Sequence, residues 1–322
     1  MSSPVIEVTS LHKRYGSTVA VDDVSLEVHE GEIFGILGRN GAGKTTTVEI
    51  VGGLRRQDRG TVRVLGLDPQ HDAGLLRQQV GLQLQESALP PRLRAREALE
   101  LYASFYEHPA DPAALLDDLG LADRAEIAFD KLSGGQKQRL SVALALVGNP
   151  SVAILDELTT GLDPHARRET WGLIERIRAR GVTIVLVTHL MEEAERLCDR
   201  LALIDEGRVV VTGTPDEVVA RASGGQVLRF RPSSPLDPAV VRLLGALPTV
   251  SSVGEPAPVA VPVAAPHGEG SVEVHGSGTV VQDVLVALDR AGVRALDVRL
   301  ERASLEDAFV TLTGDPTPKE AR

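Results

Sequence analysis

The 322-residue chain predicts an α/β domain built on a largely parallel sheet, with a smaller α+β domain after it. Continuous apolar runs at 33–37, 152–155 and 183–187 suit strands buried on both faces of a parallel sheet. Over the first 220 residues such runs alternate with longer helical patterns, as an α/β chain does. After about Ala222 Pro, Ser and Gly become frequent, and 256–270 reads as a loop, so a second domain starts there.

In chain order, segments 5–8 and 24–28 alternate apolar and polar residues, as half-exposed antiparallel strands do, and predict a separate small sheet. The buried run 33–37 then leads through a glycine-rich segment into a helical pattern from Val48. From about 86 to 147 strands give way to helical patterns such as Ala98-Leu99-Glu100-Leu101-Tyr102 and Ala113-Ala114-Leu115-Leu116, which predicts a helical insertion. Runs 152–155 and 183–187 complete a first domain of residues 1–222, in which Trp171 reads as helical core. Residues 223–322 follow with strand 227–230, helix 238–247, strands 249–253 and 272–275, helix 280–291 and strand 293–300. That βαββαβ order is ferredoxin-like. A closing helix from Ser304 begins with a capping box to Asp307, using Asp where Glu is usual.

Carboxylates outnumber Lys and Arg by 45 to 34, a net charge of -11, so nonspecific binding to nucleic acid is disfavoured. The single cysteine, Cys198, lies in a helical run and reads as core filling in a reducing compartment. The N-terminus lacks a signal-peptide pattern, and no eighteen apolar residues run uninterrupted by charge. A soluble, cytoplasmic chain is expected.

Gly38-Arg39-Asn40-Gly41-Ala42-Gly43-Lys44-Thr45 fits the phosphate-loop pattern and stands between an apolar strand and a helix. Phosphate oxygens need several N–H donors at close range, glycines let the backbone curl to supply them, and the helix start adds its dipole. Gly38, Asn40, Gly41, Ala42, Gly43, Lys44, Thr45 and Thr46 are therefore the expected nucleotide contacts. Lys44 would neutralise the β and γ phosphates, and the Thr45 hydroxyl would meet a bridging Mg²⁺. At the end of the next apolar strand stand Asp156 and Glu157. Adjacent side chains on a strand point to opposite faces, so the two acids have different roles unless the chain turns there.

A second glycine pair needs its own explanation, because one nucleotide does not need two phosphate cradles. Leu132-Ser133-Gly134-Gly135-Gln136 resembles the signature motif of the ATP-binding cassette ATPases, and Ser133 with Gln136 also reads as a helix capping box. The two readings are compatible. The resemblance covers residues 5–220 in the family's order: aromatic, phosphate loop, glutamine, signature, acid pair, interface aspartate, histidine.

It implies ATP with Mg²⁺, held by Thr45, Asp156 and Gln85. Glu157 is implied as general base, His189 as the histidine that bonds the γ-phosphate, and Gln85 as the start of a surface facing a membrane subunit. Gln83 competes with Gln85 for that place. Tyr15 is implied to stack on adenine, an ordinary core or surface aromatic being the alternative. Asp163, in Gly161-Leu162-Asp163-Pro164, is implied at a dimer interface or else caps a helix. Ser133, Gly134, Gly135 and Gln136 would complete the nucleotide site of a second copy arranged head to tail. Leu158 stands where the family usually has proline.

The tail Ser304-Leu305-Glu306-Asp307-Ala308-Phe309-Val310-Thr311-Leu312-Thr313-Gly314 resembles that of bacterial drug-export ATPases of the daunorubicin-resistance type. The implied partner is a separate transmembrane permease, with the chain at the cytoplasmic face of the membrane. A soluble regulatory or assembly ATPase is the alternative, and the cargo stays open.

Overall fold

The alternating N-terminal segments form two long antiparallel strands, β1 (Pro4–Tyr15) and β2 (Thr18–His29). β3 (Ile33–Leu37) and helix α1 (Lys44–Val51) follow, and β4 (Arg59–Val64) then pairs with the free side of β1. The order β2-β1-β4 is the expected small sheet enlarged by one strand. β4 gives little signal in the sequence, because only Val62 and Val64 of its six residues are buried. The computed structural model describes residues 4–84, 89–223, 226–254, 271–276, 278–302 and 304–313. Gln85 lies outside the described residues.

Helix α2 (Ala73–Gln79) leads into β5 (Val80–Gln83). Helices α3 (Ala95–Ala103), α4 (Pro112–Asp118) and α5 (Gly134–Leu146) come next, before β6 (Val152–Asp156). The cassette continues with α6 (Pro164–Ala179), β7 (Thr183–Thr188), α7 (Met191–Leu197), β8 (Arg200–Asp205) and β9 (Arg208–Gly213). The six-stranded sheet has the order β5-β6-β7-β3-β8-β9. All neighbours are parallel except β9, which returns antiparallel to β8.

Every residue of β3, β6 and β7 is buried, which is why these strands read as unbroken apolar runs. Each fully buried Val, Ile or Leu contributes roughly 1.5–3 kcal/mol of transfer free energy against the entropy of ordering the chain. Because β6, β7 and β3 are consecutive in the sheet, their C-terminal ends bring residues 38–45, 156–157 and 188–189 to one edge. A crevice at the carboxyl ends of parallel strands is where such sheets bind ligands.

The chain divides into two units, Met1–Pro215 and Asp216–Arg322, with the division inside the first turn of α8 (Pro215–Ser223). The second unit runs β10 (Gln226–Pro232), α9 (Pro238–Gly245), β11 (Val250–Gly254), β12 (Val272–Gly276), α10 (Val280–Arg290) and β13 (Ala295–Arg302). Its sheet order β11-β12-β10-β13, antiparallel throughout, is the ferredoxin-like arrangement expected from the βαββαβ pattern. Leu228, Phe230, Leu244, Val274, Val284 and Leu288 form the centre of its own core. Helix α11 (Leu305–Thr313) closes it, and Ser304 and Asp307 cap that helix reciprocally at 2.9 and 3.1 Å.

Candidate active site

The loop between β3 and α1 is shaped by backbone that only glycine accepts. Gly38 has φ 154° and Gly43 φ 99°, and a Cβ at either would overlap a carbonyl oxygen, of Ile204 and of Ala20 respectively. Helix α1 begins directly at Lys44, with Gly43 as its N-cap, so its first N–H groups open onto the loop. The β8–β9 hairpin braces the other side, where Gly207 N–H donates to Ala42 O at 3.0 Å.

Lys44 is 5% exposed. Its Nζ donates to Gly38 O at 2.7 Å and to Arg39 O at 2.9 Å. An ammonium has three donors, so two carbonyls orient Nζ and leave one for an anion. Burial holds Lys44 below the usual lysine range, opposed by the charges of Glu157 and Asp156. A cleft of about 330 Å³ is lined by Ala20, Asn40, Gly41, Gly43, Lys44, Thr45, Thr46 and Glu157. Phosphate loop and acid pair therefore meet in one place.

The two acids differ as strand geometry requires. Asp156 is fully buried at the end of β6, and its Oδ2 accepts from Thr45 Oγ1–H at 3.2 Å. Oδ1 is buried with no partner among the described residues. Burial pushes the Asp156 carboxyl up to about 6, offset in part by the Thr45 hydrogen bond. Glu157 turns out of the strand through left-handed backbone, φ 49°, while its N–H donates to Val187 O at 2.8 Å. That conformation is uncommon for a residue with a side chain, and it puts the Glu157 carboxylate in the cleft. There Glu157 Oε1 lies 3.2 Å from His189 Nδ1.

The remaining candidate residues stand on other elements. Ser133 is the N-cap of α5: its Oγ accepts from Gln136 N–H at 3.3 Å, and Gln136 Oε1 accepts from Ser133 N–H at 2.9 Å. Gly134 has open space beyond its Cα, and Gly135 faces Ala166 of α6. None of these four residues lines the phosphate cleft of its own chain. Asp163 caps α6 by accepting from His165 N–H and Ala166 N–H at 2.9 and 3.0 Å, and these bonds hold its carboxyl below the usual range. Tyr15 ends β1 with its ring exposed, and Lys13 and Arg55 lie over that ring at 5.4 and 5.7 Å. Gln83 is buried in β5, donating to Leu84 O at 2.9 Å. Cys198 is buried and its thiol is pushed far up, chiefly by burial, as befits core filling.

The comparisons agree with this geometry. A family model described as ABC transporter matches residues 21–160. The chain is 36% identical over 321 residues to the daunorubicin resistance ATP-binding protein DrrA3 of Streptomyces coeruleorubidus, covering 98% of each. This chain belongs to the ABC transporter ATPase family. The ATPase is also 37% identical over 321 residues to Nod factor export ATP-binding protein I of Burkholderia orbicola, again covering 98% of each. Among solved structures it resembles an ATP-binding subunit of an ABC transporter, with TM-score 0.62, 30% identity and coverage of 68% of this chain and 93% of that one. A dimeric ATP-binding cassette in a post-hydrolysis state with ADP and Pi gives TM-score 0.60, 27% identity and coverage of 65% and 98%. The two relatives thus align through both units. As a member of this family the ABC ATPase binds ATP and hydrolyses it.

Two features of the site carry no pattern in the sequence. The bracing hairpin turns at Glu206-Gly207 with φ 46° and 78°, where Asn-Gly or Asp-Gly would have announced it. Trp171, read as plain core, also donates a hydrogen bond from its indole nitrogen to a buried carboxylate, Glu193. A glutamate early in an amphipathic helix reads as solvent-facing, and α7 is too short for periodicity to correct it.

Proposed function

We infer that this ATPase powers an exporter of amphipathic compounds, and that two copies hydrolyse ATP at sites they share head to tail. The observation that carries the reading is the Glu157–His189 pair, 3.2 Å apart, at the cleft formed by the phosphate loop. In this reading Gly41, Gly43 and Lys44 hold the phosphates, and Tyr15 takes the adenine. Glu157 accepts a proton from water as the water oxygen bonds to the γ-phosphorus and the bond to the β-phosphate oxygen breaks, leaving ADP and phosphate. Positioned base catalysis of this kind is worth about 10² to 10⁴ in rate. His189, oriented by Glu157, directs the γ-phosphate.

The donors present suit Mg²⁺, which prefers oxygen ligands and keeps few protein ones beside substrate phosphates. Thr45 Oγ1 and the buried, unpartnered Oδ1 of Asp156 would hold it, with Gln85 as a further ligand. Among the described residues no cluster of three or more His, Cys, Asp or Glu side chains offers a competing metal cage. When bound, the ion supplies neutralisation of charge between the β and γ phosphates.

Hydrogen-bond capacity supports the sharing of sites. Ser133 Oγ spends an acceptor lone pair on Gln136 N–H and keeps its O–H donor, which, with the N–H groups of Gly134 and Gly135, can reach the γ-phosphate held by the other copy's Lys44. Asp163, at the start of α6, would lie at that interface. In this reading a separate transmembrane permease carries the cargo; no helix among the described residues is long and apolar enough to cross a membrane. A groove of about 740 Å³ beside residues 84 and 89, lined in part by Leu54, Leu82, Leu84, Leu89, Tyr102 and Phe105, offers that partner an apolar seat at the cytoplasmic face. The export assignment is supported by the relatives named for daunorubicin resistance and Nod factor export.

The test uses purified full-length protein. Glu157→Gln is expected to bind ATP and form a stable dimer while turnover falls at least about 10²-fold. Lys44→Ala and Ser133→Arg proteins are each expected to be inactive, and mixing them in equal amounts is expected to restore part of the ATPase through one intact shared site. Hydrolysis by Glu157→Gln at the wild-type rate would remove the base, and no recovery on mixing would remove the sharing.

A further inference from the structure

Glu193 is fully buried, yet it carries a carboxyl group and sits on α7 one turn beyond His189. Its Oε1 accepts two hydrogen bonds, from Thr159 Oγ1–H at 2.8 Å and from Trp171 Nε1–H at 3.1 Å. Its Oε2 is buried without a partner among the described residues. Nor does any ion pair among the described residues involve this carboxyl. Burial on those terms is unfavourable, and an apolar side chain of the same size would cost less. The carboxyl therefore needs a role that packing alone does not provide.

Its connections supply one. Thr159 lies two residues after Glu157 and is fully buried. Glu193 lies four residues after His189, and Glu157 Oε1 meets His189 Nδ1 at 3.2 Å. Two cross-links thus join the loop that starts at Glu157 to the segment that starts at His189, one in the cleft and one buried behind it, and together they close a ring. Glu157 occupies left-handed backbone at φ 49°, a conformation that costs about 1 kcal/mol or more and persists only where the surroundings fix it. Upstream, Glu157 N–H is fixed by Val187 O. Downstream, Leu158 is fully buried and Thr160 N–H donates to Glu157 O at 3.3 Å, and the Thr159 side chain is the anchor that ties this turn to α7. Trp171 holds the acceptor in place from α6.

We propose that Glu193 is a positioning residue: by holding Thr159 it keeps Glu157 in its turned-out conformation against His189, so that base and orienter act as one unit. This rests on the reading of Glu157 as the base. Phosphate contacts on the β3–α1 loop are separate from the ring, so losing the Glu193 acceptor lowers kcat and leaves the KM for ATP in place. A 1 Å misplacement of a reacting group can cost about 10²-fold in rate.

The experiment compares Glu193→Leu, Thr159→Val, their combination, Glu193→Gln and Glu157→Gln as full-length proteins, with folding checked by circular dichroism and melting. Glu193→Leu and Thr159→Val are each expected to lower kcat about 10- to 100-fold with KM within about twofold of wild type. The double variant is expected to be no worse than the poorer single one, because both remove the same link. Glu193→Gln keeps the accepting oxygen and is expected to restore kcat to within about threefold. Trp171 is the chain's one tryptophan, so its emission is expected to change in Glu193→Leu and to stay near wild type in Thr159→Val. Should Glu193→Leu fail to fold, the nearly isosteric Thr159→Val carries the test alone. A folded Thr159→Val with wild-type kcat, losses that multiply in the double variant, or a KM effect without a kcat effect would overturn the proposal. Normal turnover by Glu157→Gln would instead overturn the reading beneath it.

Discussion

Asp156 shows how much a single buried carboxyl can shape the protein before any ligand arrives. Its ordinary value of 3.8 is raised to about 6 by burial, and Thr45 compensates only partly. A group whose value rises on folding favours the folded state below its unfolded value and loses that contribution as pH climbs through the folded one. For Asp156 the window therefore runs from about pH 4 to pH 6, and above it the ionised carboxylate costs roughly 3 kcal/mol of stability. In nucleotide-free, metal-free protein, Asp156→Asn is expected to melt several degrees above wild type at pH 7.5. That gap is expected to narrow to about half as the pH is lowered to 5, inside the window, while Mg²⁺-dependent hydrolysis is lost at both. Thermal melts at the two pH values check it, and a gap independent of pH would mean that the carboxyl is ionised throughout. The same residue illustrates the limits of pattern reading. That Asp156 and Glu157 must differ followed from strand geometry, but the left-handed turn that lets both influence Lys44 is set by the Val187 carbonyl across the sheet, which no local spacing reveals.

The start of α5 carries two demands on one serine. Ser133 caps the helix with Gln136, and in the shared-site reading it also donates to a phosphate on the other copy. Losing a cap costs about 1 kcal/mol, whereas Asp caps as well as Ser does. Ser133→Asp is therefore expected to keep the melting temperature of the isolated chain within about two degrees. It also places a negative charge where the γ-phosphate would land, so ATP-driven dimer formation, followed by size-exclusion chromatography in a Glu157→Gln background, is expected to disappear. Retention of the dimer would leave Ser133 with its cap alone. Among the elements, legibility tracked burial. β3, β6 and β7 were plain because both faces of each are covered, and α5 was marked by its capping residues. β4 and the β8–β9 hairpin were not, since one is mostly exposed and the other turns at a glutamate in place of the usual Asn or Asp.

Across the whole molecule, each of the two units holds a buried apolar core among the described residues, and each is expected to unfold in a transition of its own. The cassette core is built on the parallel sheet and includes Ile36, Val48, Ile154 and Val187, whereas the second unit is built around Phe230, Val274 and Leu288. Calorimetry of the full chain is expected to resolve the two. ADP at 100 times its Kd is expected to stabilise the cassette transition by about 2.7 kcal/mol through mass action and to leave the other in place. Phe230 is 1% exposed, and truncating a buried phenylalanine to alanine typically costs about 3–5 kcal/mol through lost transfer energy and the cavity left behind. Phe230→Ala is therefore expected to lower the ADP-insensitive transition alone, with the ADP Kd unchanged. If ADP raised both transitions, or if Phe230→Ala weakened ADP binding, the second unit would be energetically linked to the nucleotide site. It would then be a candidate regulator of hydrolysis.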